Sequence, residues 1–253
     1  MNLTPIPAFQ DNYLWLLDNG SEAVVVDPGD AAPVLAHLAR TGLRLAAILV
    51  THHHGDHIGG LGALLAQFDV PVFGPAGEDI PQLTVRLKEG DTITVPGIGS
   101  RFSVIDVPGH TAGHIAYYGE GLLFCGDTLF ACGCGRLFEG TAAQMTESLA
   151  KLAALPGDTR VYCAHEYTLA NIRFAQAVEP GNDALRDRQA TDARRREQGI
   201  PTVPSTIDLE RRTNPFLRWD EPEVKAAAER AAHATLSRPQ EIFGALREWK
   251  NRF

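Results

Sequence analysis

The first two thirds of the chain alternate short apolar runs with turn residues, a pattern typical of β-strands. Residues 12–17 and 23–26 are apolar or β-branched, and Asp18-Asn19-Gly20 between them predicts a hairpin. Further strands are predicted at 45–50, 70–73, 92–95, 102–107, 116–118, 122–125 and 161–163. Apolar residues at helical spacing predict helices at about 31–40, 58–67 and 142–154.

The amino-acid composition changes from Leu169 onward, where the sequence becomes rich in alanine and arginine. Helical periodicity there predicts helices at about 171–178, 183–198, 221–234 and 240–250. Only the link from 201 to 215 is expected to be irregular. We therefore predict a boundary near 166–170, with one domain at 1–168 and a second, α-helical domain at 169–253.

The residues that follow the predicted 45–50 strand read Thr51-His52-His53-His54-Gly55-Asp56-His57. Side chains two apart in extended backbone share a side, so His52 and His54 should point together and His53 away. Asp56 and His57 come where the chain turns and can face a second point. Imidazole and carboxylate suit zinc and related divalent metals. A chance cluster of histidines is a poor alternative, because the spacing itself is that of a metal site.

Other strand ends also deliver polar residues, which allows two metal sites to be assembled. The first set of candidate ligands is His52, His54 and His110, and the second is Asp56, His57 and His165, with Asp127 able to bridge both. Taken alone, His110 is more typical of a turn, Asp127 of a helix cap and His165 of a core histidine. Together with residues 51–57, called the histidine loop below, all three become candidate ligands. Asp27 is expected to hold the loop by hydrogen bonds, and His114 to orient a neighbour.

Composition and charge exclude several classes of function. The 253 residues are 44% hydrophobic, yet no apolar run approaches the roughly 18 residues that span a bilayer. The formal net charge of −8 argues against a nucleic-acid or anionic-membrane binder. The N-terminus has no pattern of a signal peptide. None of the four cysteines forms a Cys-x-x-Cys pair, which favours reduced thiols and a cytoplasmic protein.

The order and spacing of these candidate ligands resemble the metallo-β-lactamase superfamily. The matching residues are His52-x-His54-x-Asp56-His57, followed by His110, Asp127 and His165, with Asp27 before them. The resemblance implies an α/β fold, an αβ/βα four-layer sandwich with the metals at one edge between two sheets, here followed by a C-terminal α-helical domain.

Further motifs are similar to those of one family within it, the glyoxalase II family of hydroxyacylglutathione hydrolases. They are Thr51 to Gly60, Gly126-Asp127-Thr128-Leu129-Phe130, Gly133 to Thr141, His165-Glu166-Tyr167-Thr168 and Thr213-Asn214-Pro215-Phe216. The resemblance implies a dinuclear metal-dependent thioesterase that converts S-D-lactoylglutathione and related 2-hydroxyacyl thioesters to glutathione and a 2-hydroxy acid such as D-lactate. This is the second step of methylglyoxal detoxification.

The same resemblance implies which residues bind the glutathione moiety. They are Arg136, Phe138, Tyr167, Arg247 and Lys250. Glutathione is anionic, so an acidic protein needs such cations. Arg136 replaces the lysine of some family members and keeps the charge, whereas Phe138 replaces a tyrosine and loses a hydroxyl. The alternative for Arg247 and Lys250 is a solvated basic stripe on a helix.

No protein nucleophile is expected, because a hydroxide that bridges two metals can attack the thioester. Two divalent ions are expected, with zinc preferred and iron or manganese as alternatives. We expect a monomer that binds a small glutathione thioester, with no nucleic acid or membrane partner. The alternatives are a persulfide dioxygenase, which the Asn-Pro-Phe motif disfavours, a metal-dependent phosphodiesterase, which the negative net charge disfavours, and a binding module without catalysis, which the complete set of ligand positions disfavours.

Overall fold

The computed structural model describes all residues, Met1–Phe253, and divides them into two compact units. Unit 1 comprises 1–106 and 111–126, and unit 2 comprises 107–110 and 127–253. The division follows spatial compactness, and the domain boundary predicted at 168/169 stays a prediction.

Unit 1 contains ten strands and three helices. In chain order these are β1 Asn2–Ala8, β2 Asn12–Asp18, β3 Glu22–Val26, α1 Ala31–Thr41, β4 Arg44–Leu49, α2 Gly55–Ile58, α3 Leu61–Leu65, β5 Val72–Pro75, β6 Val85–Leu87, β7 Thr92–Thr94, β8 Arg101–Asp106, β9 Ile115–Gly119 and β10 Leu122–Gly126. Strands β1 to β6 are neighbours in that order, antiparallel from β1 to β3 and parallel from β3 to β6. Strands β7 to β10 are antiparallel neighbours.

The first sheet of unit 1 is covered on both faces, which explains why every residue of β2 is buried. On one face, Leu14, Leu16 and Val25 pack with Val34 and Leu38 of α1 in a single apolar core. On the other face, the second sheet approaches closely enough for the Tyr117 hydroxyl to donate to the carbonyl oxygens of Val50 and Phe73, at 2.9 and 3.2 Å. Both β4 and the loop that follows it are therefore fixed from two sides.

Unit 2 contains four short strands and six helices. These are β11 Leu129–Phe130, β12 Gly133–Cys134, α4 Ala142–Ala153, β13 Arg160–Cys163, α5 Thr168–Val178, α6 Asp183–Glu197, β14 Ser205–Thr206, α7 Ile207–Thr213, α8 Pro222–Ala232 and α9 Pro239–Arg252. A single 3-10 turn lies at Pro215–Leu217. β11 pairs with β12 and β13 with β14, both antiparallel. None of the helices in either unit has the length and hydrophobicity needed to cross a bilayer.

Two sequence predictions are wrong and have clear physical reasons. The helix predicted at 58–67 is shorter than expected: α2 ends at Ile58 and α3 spans only Leu61–Leu65, because the Gly60 N–H donates to the Pro28 carbonyl oxygen at 2.9 Å and not along the helix. The irregular link predicted at 201–215 contains β14 and α7. Thr206 caps α7 by accepting from the Leu209 N–H, a start signal that the prediction passed over.

The prediction also missed β1, which is the edge strand of its sheet. Pro5 and Pro7 weaken the strand signal in the sequence. Because Pro5 and Pro7 are two residues apart, their missing N–H groups lie on the same side of the strand. Only an edge strand tolerates this arrangement.

A buried ionic network holds α6 to α7 in unit 2. Arg188 donates from Nη2 to Glu210 Oε1 at 2.7 Å and from Nη1 to Thr213 Oγ1 at 2.5 Å, and both charged side chains are at most 2% exposed. Glu210 Oε2 accepts the Cys132 N–H at 2.7 Å. The network therefore connects α7 to the turn between β11 and β12.

We expect Arg188→Met to lower the free energy of unfolding by about 3–5 kcal/mol, because it leaves Glu210 buried without its cation. Chemical denaturation monitored by circular dichroism measures the effect. The control is Arg212→Met, which removes an ion pair to Asp208 that is more than half exposed and should change the free energy by less than about 1 kcal/mol. Equal unfolding midpoints for the two variants would contradict the assignment.

Candidate metal centre and adjoining pocket

Four of the predicted metal ligands converge in unit 1 at the end of β4. His52 Nε2 lies 3.2 Å from His54 Nδ1, and the ring centroids of His52 and His57 are 4.0 Å apart. Asp56 Oδ2 lies 3.5 Å from His57 Nε2. His54 caps α2 in extended backbone, and Asp56 and His57 lie in its first turn, so the strand-to-helix change turns the second pair toward the first.

Asp27, at the end of the neighbouring strand β3, orients this loop. Its carboxylate accepts from the Thr51 N–H and the Thr51 hydroxyl, both at 2.7 Å, and lies 3.0 Å from His57 Nδ1. The Thr51 hydroxyl gives its only hydrogen to Asp27, so it accepts from His52 Nδ1 at 3.1 Å. Because Nδ1 of each ring faces Thr51 or Asp27, Nε2 is the nitrogen of His52 and of His57 whose lone pair can bind a metal. The expected hydrogen bonds from Asp27 to the loop are present.

Backbone packs directly on backbone beneath the loop, which accounts for its glycines. A Cβ at Gly29 would lie 1.7 Å from the Asp56 carbonyl oxygen, and one at Gly60 would lie 2.4 Å from the Pro28 carbonyl oxygen. Any larger residue at either position would push α2 away from the turn after β3. The glycines thus fix where Asp56 and His57 lie.

The remaining polar neighbours of the loop have structural contacts. His53 Nδ1 lies 2.8 Å from the Glu78 carboxylate, and His114 is fully buried with its ring stacked on His52 at 4.5 Å. The Asn12 amide donates to Asp56 Oδ2 at 3.0 Å, a contact that sequence reasoning did not find. Asn12 is the first residue of β2, and nothing in its local sequence marks it as a partner of Asp56.

The other three predicted ligands meet in unit 2. Asp127 Oδ2 lies 3.4 Å from His110 Nε2, and Asp127 Oδ1 lies 3.4 Å from His165 Nε2. His110 Nδ1 donates to the Arg136 carbonyl oxygen at 2.9 Å, which presents Nε2 to Asp127. Each oxygen of Asp127 thus faces a different imidazole, the arrangement that a bridging carboxylate needs.

These distances fit metal ligation. Two ligand atoms about 2.0–2.1 Å from one tetrahedral zinc ion lie about 3.3 Å apart. The closest ligand-atom pairs above are separated by 3.2–3.5 Å in both units. The donors are imidazole nitrogens and carboxylate oxygens, the set that zinc, iron and manganese share. The side chains of both units therefore suit divalent cations.

A pocket of about 490 Å³ in unit 2 adjoins His110 and Asp127, a volume usual for small-molecule sites. Its lining residues are His110, Asp127, Phe130, Cys134, Arg136, Phe138, Tyr167, Ala170, Asn171, Arg247 and Lys250. All five residues predicted to bind glutathione are among them. Asp127 is the only acidic residue of the lining, so the pocket is electropositive away from it.

The basic end of the pocket is held by α9. Arg247 is 5% exposed, donates from Nη1 to the Cys134 carbonyl oxygen at 2.8 Å and lies over the Phe216 ring, while its Nε has no hydrogen-bond partner. Lys250 donates to Asn171 Oδ1 at 2.6 Å. Burial, together with the nearby Arg247 charge, lowers the pKa of Lys250 to about 8. Neither cation is a solvated surface residue, so that alternative is excluded.

Aromatic rings also line the pocket. Phe138 is 63% exposed and meets His110 edge to face at 5.2 Å, and Tyr167 stacks on His165 at 4.7 Å. Phe138 presents an apolar ring where a tyrosine would add a hydroxyl. Asn171 was missed by sequence reasoning, although its position one helical turn after Tyr167 is a signal that both share a face of α5.

Two motifs, Gly133-Cys134-Gly135 and Asn214-Pro215-Phe216, contact each other beside this pocket. The Asn214 amide donates to the carbonyl oxygens of Phe130 and Gly133, at 3.2 and 2.9 Å. A Cβ at Gly135 would lie 1.9 Å from the Asp127 carbonyl oxygen, so only glycine allows this approach. Asn214 therefore shapes the turn that carries Cys134 and passes beside Asp127.

Comparison with known proteins identifies both parts of the chain. A family model described as hydroxyacylglutathione hydrolase C-terminus matches residues 166–253, and one described as metallo-beta-lactamase superfamily matches residues 9–165. The hydroxyacylglutathione hydrolase of Nitrosomonas eutropha is 53% identical over 253 residues, covering 100% of this chain and 99% of that protein. That of Cupriavidus metallidurans is 56% identical over 265 residues, covering 100% and 99%.

Solved structures show the same fold. ETHE1 from Myxococcus xanthus aligns with a TM-score of 0.68 and 25% identity, covering 99% of this chain and 98% of that one. The BLEG-1 B3 metallo-beta-lactamase aligns with a TM-score of 0.63 and 28% identity, covering 86% and 99%. TTHA1623 in a di-iron-bound form aligns with a TM-score of 0.59 and 27% identity, covering 86% of this chain and 100% of that one. The predicted α/β metallo-β-lactamase fold is confirmed.

We expect Asp27→Asn to weaken zinc binding about 10–100-fold, because an amide has one acceptor oxygen, so its NH₂ group would face either the Thr51 N–H or the Thr51 hydroxyl and His57 Nδ1. Asparagine also tolerates the left-handed backbone of this position, where φ is 50°, so the loop should still form. Competition with a chromophoric chelator measures the affinity. The control is Asp30→Asn, which keeps a good cap for α1. An unchanged affinity in Asp27→Asn would contradict the orienting role.

Proposed function

The chain belongs to the hydroxyacylglutathione hydrolase family of the metallo-β-lactamase superfamily, and we propose that it hydrolyses S-D-lactoylglutathione to glutathione and D-lactate. The observation that supports this substrate most strongly is the pocket of unit 2. It joins two candidate metal ligands, His110 and Asp127, to the buried Arg247 and the partly buried Lys250. A molecule with a reactive acyl group at one end and carboxylates at the other matches this polarity.

We further propose that seven side chains hold two divalent ions. These are His52, His54, Asp56, His57, His110, Asp127 and His165. Divalent ions bound there would lower the pKa of water and polarise a carbonyl oxygen. The support is the donor chemistry, the separations of 3.2–3.5 Å, and the contacts that turn Nε2 of His52, His57 and His110 toward other candidate ligands. Zinc is the proposed ion, with iron or manganese as alternatives.

The protein's own side chains bind and orient the substrate. Arg247 and Lys250 attract the glutathione carboxylates. Arg136, Tyr167 and Phe138 line the path from these cations to His110 and Asp127. This places the thioester carbonyl at the candidate ligands. Hydrolysis adds water across the C–S bond, and the thiolate leaves readily without a protein acid.

The cysteines bear on the cellular compartment of the protein. All four cysteines are buried and none forms a disulfide, and burial raises the pKa of Cys134 and, to about 12, that of Cys132. Such thiols are typical of a reducing compartment, and we propose a cytoplasmic monomer. Persulfide dioxygenase and phosphodiesterase activities are not favoured, because the Nitrosomonas eutropha and Cupriavidus metallidurans relatives, which match over the full length, are named hydroxyacylglutathione hydrolases.

We expect the wild-type protein to hydrolyse S-D-lactoylglutathione and Asp127→Asn to lose turnover by more than about 100-fold. The loss should exceed the about 10–100-fold effect of removing an outer partner, because Asp127 faces both His110 and His165. Loss of thioester absorbance measures the rate, and elemental analysis measures bound metal. The control is Asp158→Asn on an exposed turn. Normal rates in Asp127→Asn, or in wild-type protein stripped of metal, would refute the scheme.

We also expect the KM for this thioester to rise as the pH passes through about 8. Lys250 is positive below its lowered pKa and neutral above it, so attraction of the substrate carboxylates weakens with rising pH. Arg247 and Arg136 also line the pocket and retain part of the affinity.

Lys250→Met is the comparison that isolates this effect, because the substrate's own amine titrates equally for both proteins. Its KM should be high at pH 7 and change less between pH 7 and 9 than that of the wild type, while kcat is similar. Parallel pH profiles of KM for the two proteins would show that Lys250 does not titrate in contact with the substrate.

A further inference from the structure

Glu78 is a buried carboxylate that the proposed chemistry does not use. It lies in the segment between β5 and β6, and its side chain is 2% exposed. Its only ion-pair partner is His53, and no lysine or arginine side chain contacts its carboxylate. A buried carboxylate in such a position is costly unless hydrogen bonds stabilise it.

The two oxygens of Glu78 hold two different segments. Oε2 accepts from the His53 N–H and faces His53 Nδ1 at 2.8 Å, while Oε1 accepts from the hydroxyl of Thr111, a fully buried residue. His53 stands between the candidate ligands His52 and His54. Thr111 directly follows the candidate ligand His110 in the chain.

The segment that carries Glu78 is itself fixed. The Arg86 guanidinium donates to the carbonyl oxygens of Glu78 and Ile80, at 3.1 and 3.3 Å. A Cβ at Gly113 would lie 2.5 Å from Glu78 Cγ and 2.8 Å from the Gly77 carbonyl oxygen. The loop that follows His110 therefore packs tightly against this segment, with no room for a side chain.

We propose that Glu78 is a positioning residue of the metal centre, which ties the loop of His52 and His54 to the loop that follows His110. The proposal rests on the proposed metal-dependent function. By holding the His53 amide and the Thr111 hydroxyl with one carboxylate, Glu78 sets the backbone of both segments before any ion binds. Preorganised ligands bind more tightly, because less ordering remains to be done on binding.

Glu78→Gln tests the proposal with the smallest change of shape. A glutamine has no charge and only one acceptor oxygen, so if that oxygen serves the His53 amide, its NH₂ group faces Thr111, whose hydroxyl must turn from donor to acceptor. The matched control is Glu89→Gln, which alters a carboxylate that accepts the Asp106 N–H at an exposed site of the same unit. Two readouts are zinc affinity, by competition with a chelator, and the visible spectrum of the cobalt-substituted protein.

We expect Glu78→Gln to weaken zinc binding about 10–100-fold and to alter the cobalt spectrum, with Glu89→Gln like the wild type. A residue that merely stabilises the fold would lower the melting temperature of the metal-free protein and leave both readouts unchanged. Wild-type zinc affinity and an unchanged spectrum in Glu78→Gln would overturn the proposal.

Thr111→Val provides a second variant should Glu78→Gln fail to fold, because valine keeps the shape and removes only the donor to Oε1. It should also weaken zinc binding and alter the cobalt spectrum, and wild-type behaviour would again overturn the proposal. The two hypotheses fail separately. A wild-type protein that binds zinc without hydrolysing the thioester contradicts the proposed function alone, and an active wild type with an unaffected Glu78→Gln contradicts this inference alone.

Discussion

The contact between the Asp27 carboxylate and the histidine loop is the constraint on which the rest of the centre depends. It fixes Thr51, and through Thr51 and His57 it decides which ring nitrogen of two imidazoles is available. A metal site needs ligand atoms within a few tenths of an ångström of their positions, so rings that rotate would bind poorly. Strand β3 carries this carboxylate, and a sheet buried on both faces keeps it in place.

In unit 2, side chains from α6 and from the region of α7 fix the backbone turn beside the candidate ligand Asp127. There the Gly133 to Gly135 turn must pass close to Asp127 and still present Cys134 to the pocket. Asn214 and Glu210 hold that turn through its backbone groups, and Arg188 neutralises Glu210 in the interior. A motif far along the chain thus supports the pocket of unit 2 without lining it.

Much of this arrangement is readable from sequence, because strands that end in polar residues mark where ligands can gather. The spacing of His52, His54, Asp56 and His57 predicts a site, and nearly every strand of more than three residues has a recognisable pattern. Partners such as Asn12 and Glu78 could not be predicted, because each is distant in the chain from the residue it contacts. Edge prolines and a backbone hydrogen bond at Gly60 likewise override the local pattern.

The central claim is that one set of seven side chains binds a pair of ions. Diffraction data from zinc-grown crystals, collected at the zinc absorption edge, test it directly. We expect two anomalous peaks about 3.5–4 Å apart, one within bonding distance of His52, His54 and His110 and the other of Asp56, His57 and His165, with Asp127 between them. A single peak, or peaks away from these side chains, would contradict the account.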